Sequence, residues 1–160
     1  METVIFVSPM ETTTQSPDPA RATRGGFDLA RLLTLAERRV VARITSALAS
    51  AGGSVEEWRV TSLLADGEGH PMSEIAEHVL LAPPTLTKIV DRMVSDNLVY
   101  RRVDETDRRR VLVFLSERGV QAHRRLSEAV AGEQAEIEIL FGAEETALLG
   151  PLLTRLSDRL

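Results

Sequence analysis

The side chains of this chain best suited to chemistry fall in two short runs. One is Asp107-Arg108-Arg109-Arg110, three guanidiniums behind a carboxylate. The other is the polar set Pro84, Thr85, Thr87, Lys88 and Arg92. Guanidinium groups are always charged and weakly hydrated, which suits entry into a narrow, negative groove. Threonine hydroxyls and a lysine ammonium suit hydrogen bonds to base edges or phosphates. An aspartate among arginines can hold one guanidinium extended and so reduce the entropy lost on docking. Taken alone, each run also reads as a solvated surface. Together they offer recognition of a polyanion and no bond making.

The elements around them sharpen this. Leu86, Ile89, Val90, Met93 and Val94 set one inward stripe behind Thr85, Thr87, Lys88, Asp91, Arg92 and Ser95, which predicts an amphipathic helix opened by Pro83-Pro84. Asn97 suits a left-handed helix end. Leu98–Val103 and Val111–Leu115 are β-prone runs on either side of the charged tip, and predict a hairpin. A shorter helix ahead of them, with Ser73 as N-cap, carries Met72, Ile75, Ala76, Val79 and Leu80 at helical spacing. A helix, a tight turn, a polar-faced helix and a basic hairpin form a winged helix-turn-helix, whose second helix fits the major groove.

The flanks are helical too. Leu29, Leu32, Leu33, Ala36, Val40, Ile44 and Leu48 form one stripe, ended by Gly52-Gly53, and Ser54 caps a helix through Leu64, closed near Gly67. Ser116 caps a long helix through Val120, Leu126, Val130, Ile137 and Leu140, broken at Gly142. A last helix carries Leu148, Leu149, Leu152, Leu153, Leu156 and Leu160. The fold class expected is mainly α with a small β-hairpin wing. Residues 1–26 form a disordered tail rich in Thr, Ser, Pro and Gly, in which Met10 is an alternative start. Residues 27–53 form an N-terminal dimerisation helix, 54–116 the DNA-binding unit, and 117–160 the C-terminal dimerisation helices. The flanking helices are too apolar to stand alone, and either a twofold partner or the DNA-binding unit itself covers them.

Composition narrows the class. The net charge of −5 is unevenly distributed: residues 83–115 carry seven basic against five acidic side chains, while the segments before and after are net −4 and −3. Salt screens the acidic body beyond roughly 10 Å, so the basic third can still meet phosphate. With no cysteine, thiolate metal sites and disulfides are excluded, and His70, His78 and His123 lack a ligand spacing. No metal or cofactor is expected. The chain has no nucleophile–base pairing or glycine-rich phosphate loop, which argues against an enzyme. It has no membrane-length apolar run and no secretory h-region, so it is expected in the cytoplasm.

The run MSEIAEHVLLAPPTLTKIVDRMVSDNLVYRRVDETDRRRVLVFLSERG, residues 72–119, resembles the multiple-antibiotic-resistance-regulator (MarR) family. The resemblance rests on the PPT opening, V-D-R-hydrophobic, L-V-x-R, D-x-x-D-R-R and L-S-x-x-G. It implies a homodimer with interlocked terminal helices on pseudo-palindromic promoter DNA. Thr85, Thr87 and Lys88 would then read the major groove and Arg109 would enter the minor groove, oriented by Asp107. Arg108 and Arg110 would serve phosphates or salt bridges. Ala82 departs from the family's frequent capping Ser, and Asn97 from its frequent Gly.

The resemblance also implies a small aromatic or anionic effector between dimer arm and DNA-binding unit. Arg38, Arg39, Arg43, Trp58, Arg59 and His123 are candidates for that site. The plainer alternative places Trp58 in the core and the arginines in solvent or inter-helix ion pairs. The function expected is a ligand-relieved repressor; a ligand-independent activator and a winged-helix protein-interaction module are the alternatives.

Overall fold

The structure, a computed structural model, describes residues 28–160. The tail expected over 1–26, with Met10, lies outside these residues. The elements run α1 (Leu29–Ser50), α2 (Val55–Leu63) with a 3₁₀ turn (Leu64–Asp66), β1 (His70–Pro71), α3 (Met72–Val79), α4 (Pro83–Ser95), β2 (Val99–Val103), β3 (Val111–Leu115), α5 (Glu117–Phe141) and α6 (Ala143–Ser157). The chain divides between Leu35 and Ala36 into two units. The described part of the first is the opening of α1, where Leu29, Leu32 and Leu35 are exposed and the Asp28 carboxylate accepts from the Arg31 N–H at 2.9 Å.

The second unit holds two apolar clusters. Val60, Leu64, Ile75, Val79, Leu86, Val90, Met93, Val99 and Val113 close the core of the α2–β3 region, drawing on each helix there and on β2 and β3. Leu48, Val55, Leu126 and Val130 join the end of α1 to α2 and α5, with Ile44, Ala51 and Trp58 packed against them. Helix α2 starts at a full capping box. The Ser54 hydroxyl accepts from the Glu57 N–H and the Glu57 carboxylate accepts from the Ser54 N–H, both at 3.2 Å, satisfying two of the free donors of a helix start.

The hairpin is paired as expected, with Tyr100 opposite Phe114 and Val103 opposite Val111. A third strand went unexpected: His70–Pro71 pairs antiparallel to β3, giving the order β1-β3-β2. Two residues are too few to show an alternation in sequence.

Five side chains depart from their expected places. Ser73 does not cap α3; the helix begins at Met72 with Pro71 at the cap position, because Pro71 is already committed to the sheet. Leu80 leaves the α3 stripe as a left-handed cap (φ 58°) and is 84% exposed. Val94 on α4 and Val120 on α5 are exposed at the edges of their stripes. Leu160 lies beyond the end of α6.

The joint between wing and α5 explains the L-S-x-x-G spacing. The Ser116 N–H donates to the Leu98 carbonyl at 3.0 Å, its hydroxyl donates to the Asn97 carbonyl at 2.6 Å, and the same oxygen accepts from the Gly119 N–H at 2.9 Å. A Cβ at position 119 would stand 2.0 Å from the Leu98 carbonyl oxygen, so only glycine lets the helix start this close to the strand. No helix among the described residues is long and apolar enough to cross a membrane.

Candidate nucleic-acid interface and adjoining crevice

Helices α3 and α4 are joined by Leu80, Leu81 and Ala82. Pro83 and Pro84 occupy the first two positions of α4, where their missing N–H groups leave nothing unsatisfied. Ala82 stands at its N-cap with no side-chain hydrogen bond, so the departure from serine does remove a cap. Leu86, Val90 and Met93 are fully buried and fix the helix rotation. Thr85, Thr87, Lys88, Asp91, Arg92 and Ser95 are all exposed on the other side. The Thr87 hydroxyl donates back to the Pro83 carbonyl at 2.9 Å, while Arg92 lies 3.7 Å from Asp96. Ser73, as the second residue of α3, is exposed too but bonds no helix N–H.

The wing carries its basic tip on a built turn. Asp104 accepts from the Thr106 hydroxyl at 2.7 Å and its N–H at 2.8 Å, and these bonds, aided by Arg110, hold its carboxyl below the ordinary carboxylate value. Arg110 is the arginine tied to the wing, 3.9 Å from Asp104. Asp107 accepts from the backbone N–H of Arg109 at 3.0 Å. That carboxylate therefore shapes the turn and does not hold the Arg109 guanidinium as expected, because an Asp two residues upstream meets the N–H before the long side chain. Among the described residues, neither Arg108 nor Arg109 has a carboxylate partner. On the strand face Arg102 lies over the Phe114 ring at 4.7 Å, and Phe114 stacks on Tyr100 at 5.4 Å. Arg101 bridges to Asp91 of α4 at 2.7 Å, tying hairpin to helix.

The effector candidates are scattered. Arg38 and Arg39 are exposed on α1, and Arg43 bonds Glu133 of α5 at 2.8 Å, an inter-helix ion pair. Arg59 is half-buried. Trp58 packs on the α1–α5 cluster, with its indole N–H buried and without an acceptor among the described residues. Burial lowers the pKa of His123, which has the Ser127 hydroxyl 3.4 Å away.

None of these lines the crevice that the structure does contain. It holds about 720 Å³ between the ends of α1 and α4, the start of α2 and the first half of α5. Arg92, Arg118, Gln121 and Arg125 face it along with Glu57 and Asp96. Arg125 also donates to the Ala51 carbonyl at 2.8 Å. The spacing of Arg118, Gln121 and Arg125 along α5 puts them on one face, a signal that helical periodicity carries in the sequence itself.

This arrangement of helix, turn, exposed second helix and basic hairpin defines a winged helix-turn-helix protein. A family model described as "MarR family" matches residues 54–111. The HTH-type transcriptional regulator FarR of Neisseria gonorrhoeae is 30% identical over 102 residues, 64% of this chain and 70% of that protein. Among solved structures, NadR in complex with 4-hydroxyphenylacetate is 28% identical with a TM-score of 0.67, covering 78% of this chain and 88% of that one. The repressor CouR, bound to a 23-mer DNA duplex, shares the fold with a TM-score of 0.75 at 22% identity, covering 81% of this chain and 92% of that one. The chain belongs to the MarR family, and it is a DNA-binding transcriptional regulator, not an enzyme.

Proposed function

We propose that the protein is a homodimeric repressor of a nearby promoter, bound to a pseudo-palindromic duplex and released by a small aromatic or anionic ligand. One observation carries the DNA-binding geometry: α4 presents Thr85, Thr87, Lys88 and Arg92 to solvent beside a wing whose Arg108 and Arg109 have no carboxylate partner among the described residues. Thr85, Thr87 and Lys88 read base edges from the first turns of α4, with Pro84 setting its start. Arg109 enters the minor groove, and Asp107 acts by fixing the backbone from which it projects. Arg108 and Arg110 meet phosphate, and the exposed Ser73 at the start of α3 adds a hydrogen bond to the DNA backbone. CouR, caught on a duplex, supports this mode of docking.

Residues 54–116 form the DNA-binding unit, and residues 27–53 and 117–160 the dimer arms. Helix α6 buries no residue and leaves Leu148, Leu149, Leu152 and Leu153 exposed, which argues for a second copy. The arginine-lined crevice is the better candidate for the effector, with a volume in the usual range of about 300–1,000 Å³ for small-molecule sites. NadR holds 4-hydroxyphenylacetate, an aromatic carboxylate, which fits such a lining. Arg92 belongs to α4 and also faces the crevice, so an anion there acts directly on the reading helix.

The test is fluorescence anisotropy with the duplex upstream of the chain's own gene and a scrambled control, each at two salt concentrations. Tight, salt-sensitive preference for the native duplex is expected. Arg109→Ala should weaken it several-fold and flatten the salt dependence by about one unit of slope, with the dimer intact. Equal binding to both duplexes would overturn the reading, and unchanged affinity in the variant would remove Arg109 from its role.

A further inference from the structure

Among the described residues, two non-glycine positions adopt positive φ, Leu80 at 58° and Asn97 at 56°. Asn97 is an ordinary choice, since its short polar side chain tolerates this region. Leu80 is not, because its Cβ crowds the following carbonyl and glycine would sit there freely. Its side chain gains nothing inside the chain to offset that, being 84% exposed. The backbone leaves little choice of conformation: the Leu80 N–H donates to Glu77 and the Leu81 N–H to the Ala76 carbonyl, closing α3 in a left-handed turn. A strained conformation occupied by the wrong residue type points to what that side chain does outside the fold.

Its place in the turn identifies the partner. Leu81 turns inward and packs against the core, so Leu80 projects the other way. Ala82, Pro83, Pro84 and Thr85 follow it and are all exposed. Thr85 lies five residue steps from Leu80, a reach of at most about 18 Å even for an extended chain and less through a turn. An apolar side chain at the edge of a reading helix finds one apolar group on DNA base edges, the C5-methyl of thymine in the major groove.

We infer that Leu80 is a specificity-determining residue that packs against a thymine methyl at the rim of the major groove. This rests on the DNA-binding geometry proposed above and adds an apolar contact to its polar ones. Leucine at this position exchanges ease of folding for discrimination of a thymine, and glycine would reverse that exchange.

The experiment crosses Leu80→Gly with duplexes in which each thymine of the bound site is replaced in turn by deoxyuridine, which lacks only the methyl. Leu80→Gly should raise the thermal midpoint while weakening binding by about threefold to tenfold, the factor set by losing one or two buried methyl groups. One deoxyuridine position should cost the wild type a similar factor and cost Leu80→Gly nothing further. Leu80→Asn, which also tolerates the left-handed turn, should behave as the glycine variant does. Affinity unchanged in both variants, or weakened equally on every deoxyuridine duplex, would overturn the assignment. A wild type with no duplex preference would overturn the regulatory reading itself, a separate outcome visible before any variant is made.

Discussion

Gly119→Ala is the substitution whose cost can be worked most directly from the structure. The added Cβ would lie 2.0 Å from the Leu98 carbonyl oxygen and 3.0 Å from a methyl of Leu115. An ordinary carbon–oxygen contact is roughly 3.3 Å, so the first turn of α5 must retreat by about 1 Å. That retreat loosens the Ser116 N–H bond to Leu98 and the hydroxyl's bond to Asn97, at about 1 kcal/mol each, on top of overpacking strain of about 1–3 kcal/mol. The gain in helix propensity returns somewhat under 1 kcal/mol. The net expectation is a loss of about 2–4 kcal/mol, or a midpoint lowered by roughly 8–15 °C for a chain of this size. Thermal and urea unfolding followed by circular dichroism would measure it, at one fixed protein concentration because the midpoint of the proposed dimer would depend on concentration. Gly132→Ala in the same helix supplies the contrast, since its Cβ would meet nothing within 4 Å, and should stabilise by about 0.5–1 kcal/mol. A loss below about 0.5 kcal/mol at position 119 would refute the close-approach argument.

Three other outcomes are expected. His70 is buried, with Nε2 2.8 Å from Asp66 and Nδ1 2.9 Å from Glu74. Burial lowers its pKa, but the hydrogen bonds and charges of both carboxylates outweigh that and raise it above 6.5, so its stabilisation is full below pH 6.5 and is lost as pH rises through the raised value. The Asp66 carboxyl, held down by the Glu68 N–H and by His70, contributes above pH 3.8 and loses that contribution as pH falls through its lowered value. The stability difference between wild type and His70→Gln should therefore peak between about pH 4 and 6.5 and shrink on either side; a difference flat from pH 5 to 9 would dismiss the bridge. Ala82→Ser should add about 0.5–1 kcal/mol, because the position already has extended geometry and lacks only the acceptor; no gain in urea unfolding would show that α4 needs no cap. Truncation before Glu144 should leave a folded monomer by sedimentation, and a stable truncated dimer would displace α6 from its role.

The elements with strong periodicity or chemically distinct ends were legible. Leu86, Val90 and Met93 at helical spacing, Ser54 as a helix cap, and Asn97 ahead of a β-branched run each state a local preference that the packing obeys. What escaped was set by tertiary contacts. His70–Pro71 becomes a strand because β3 offers it a free edge, and its commitment to the sheet moves the start of α3 away from Ser73. Asp107 reads as a partner for a guanidinium, yet its nearest donor is a backbone N–H. The crevice is not legible in the sequence because Arg92 on α4 stands far along the chain from Arg118 and Arg125 on α5, and only the packing of the two helices brings them together.

The Arg101–Asp91 bridge at 2.7 Å and the Ser116 joint have a mechanical consequence. They tie helix, hairpin and the start of α5 together as one head. In the proposed dimer, two such heads on a twofold axis would make a caliper, set to successive major grooves about 34 Å apart. A caliper is disabled by resetting the gap between its jaws and not by reshaping either jaw. Under the relief proposed above, an effector pushing on one helix of the head would shift the whole of it, and a displacement of a few ångströms at the arm would take every contact out of register together.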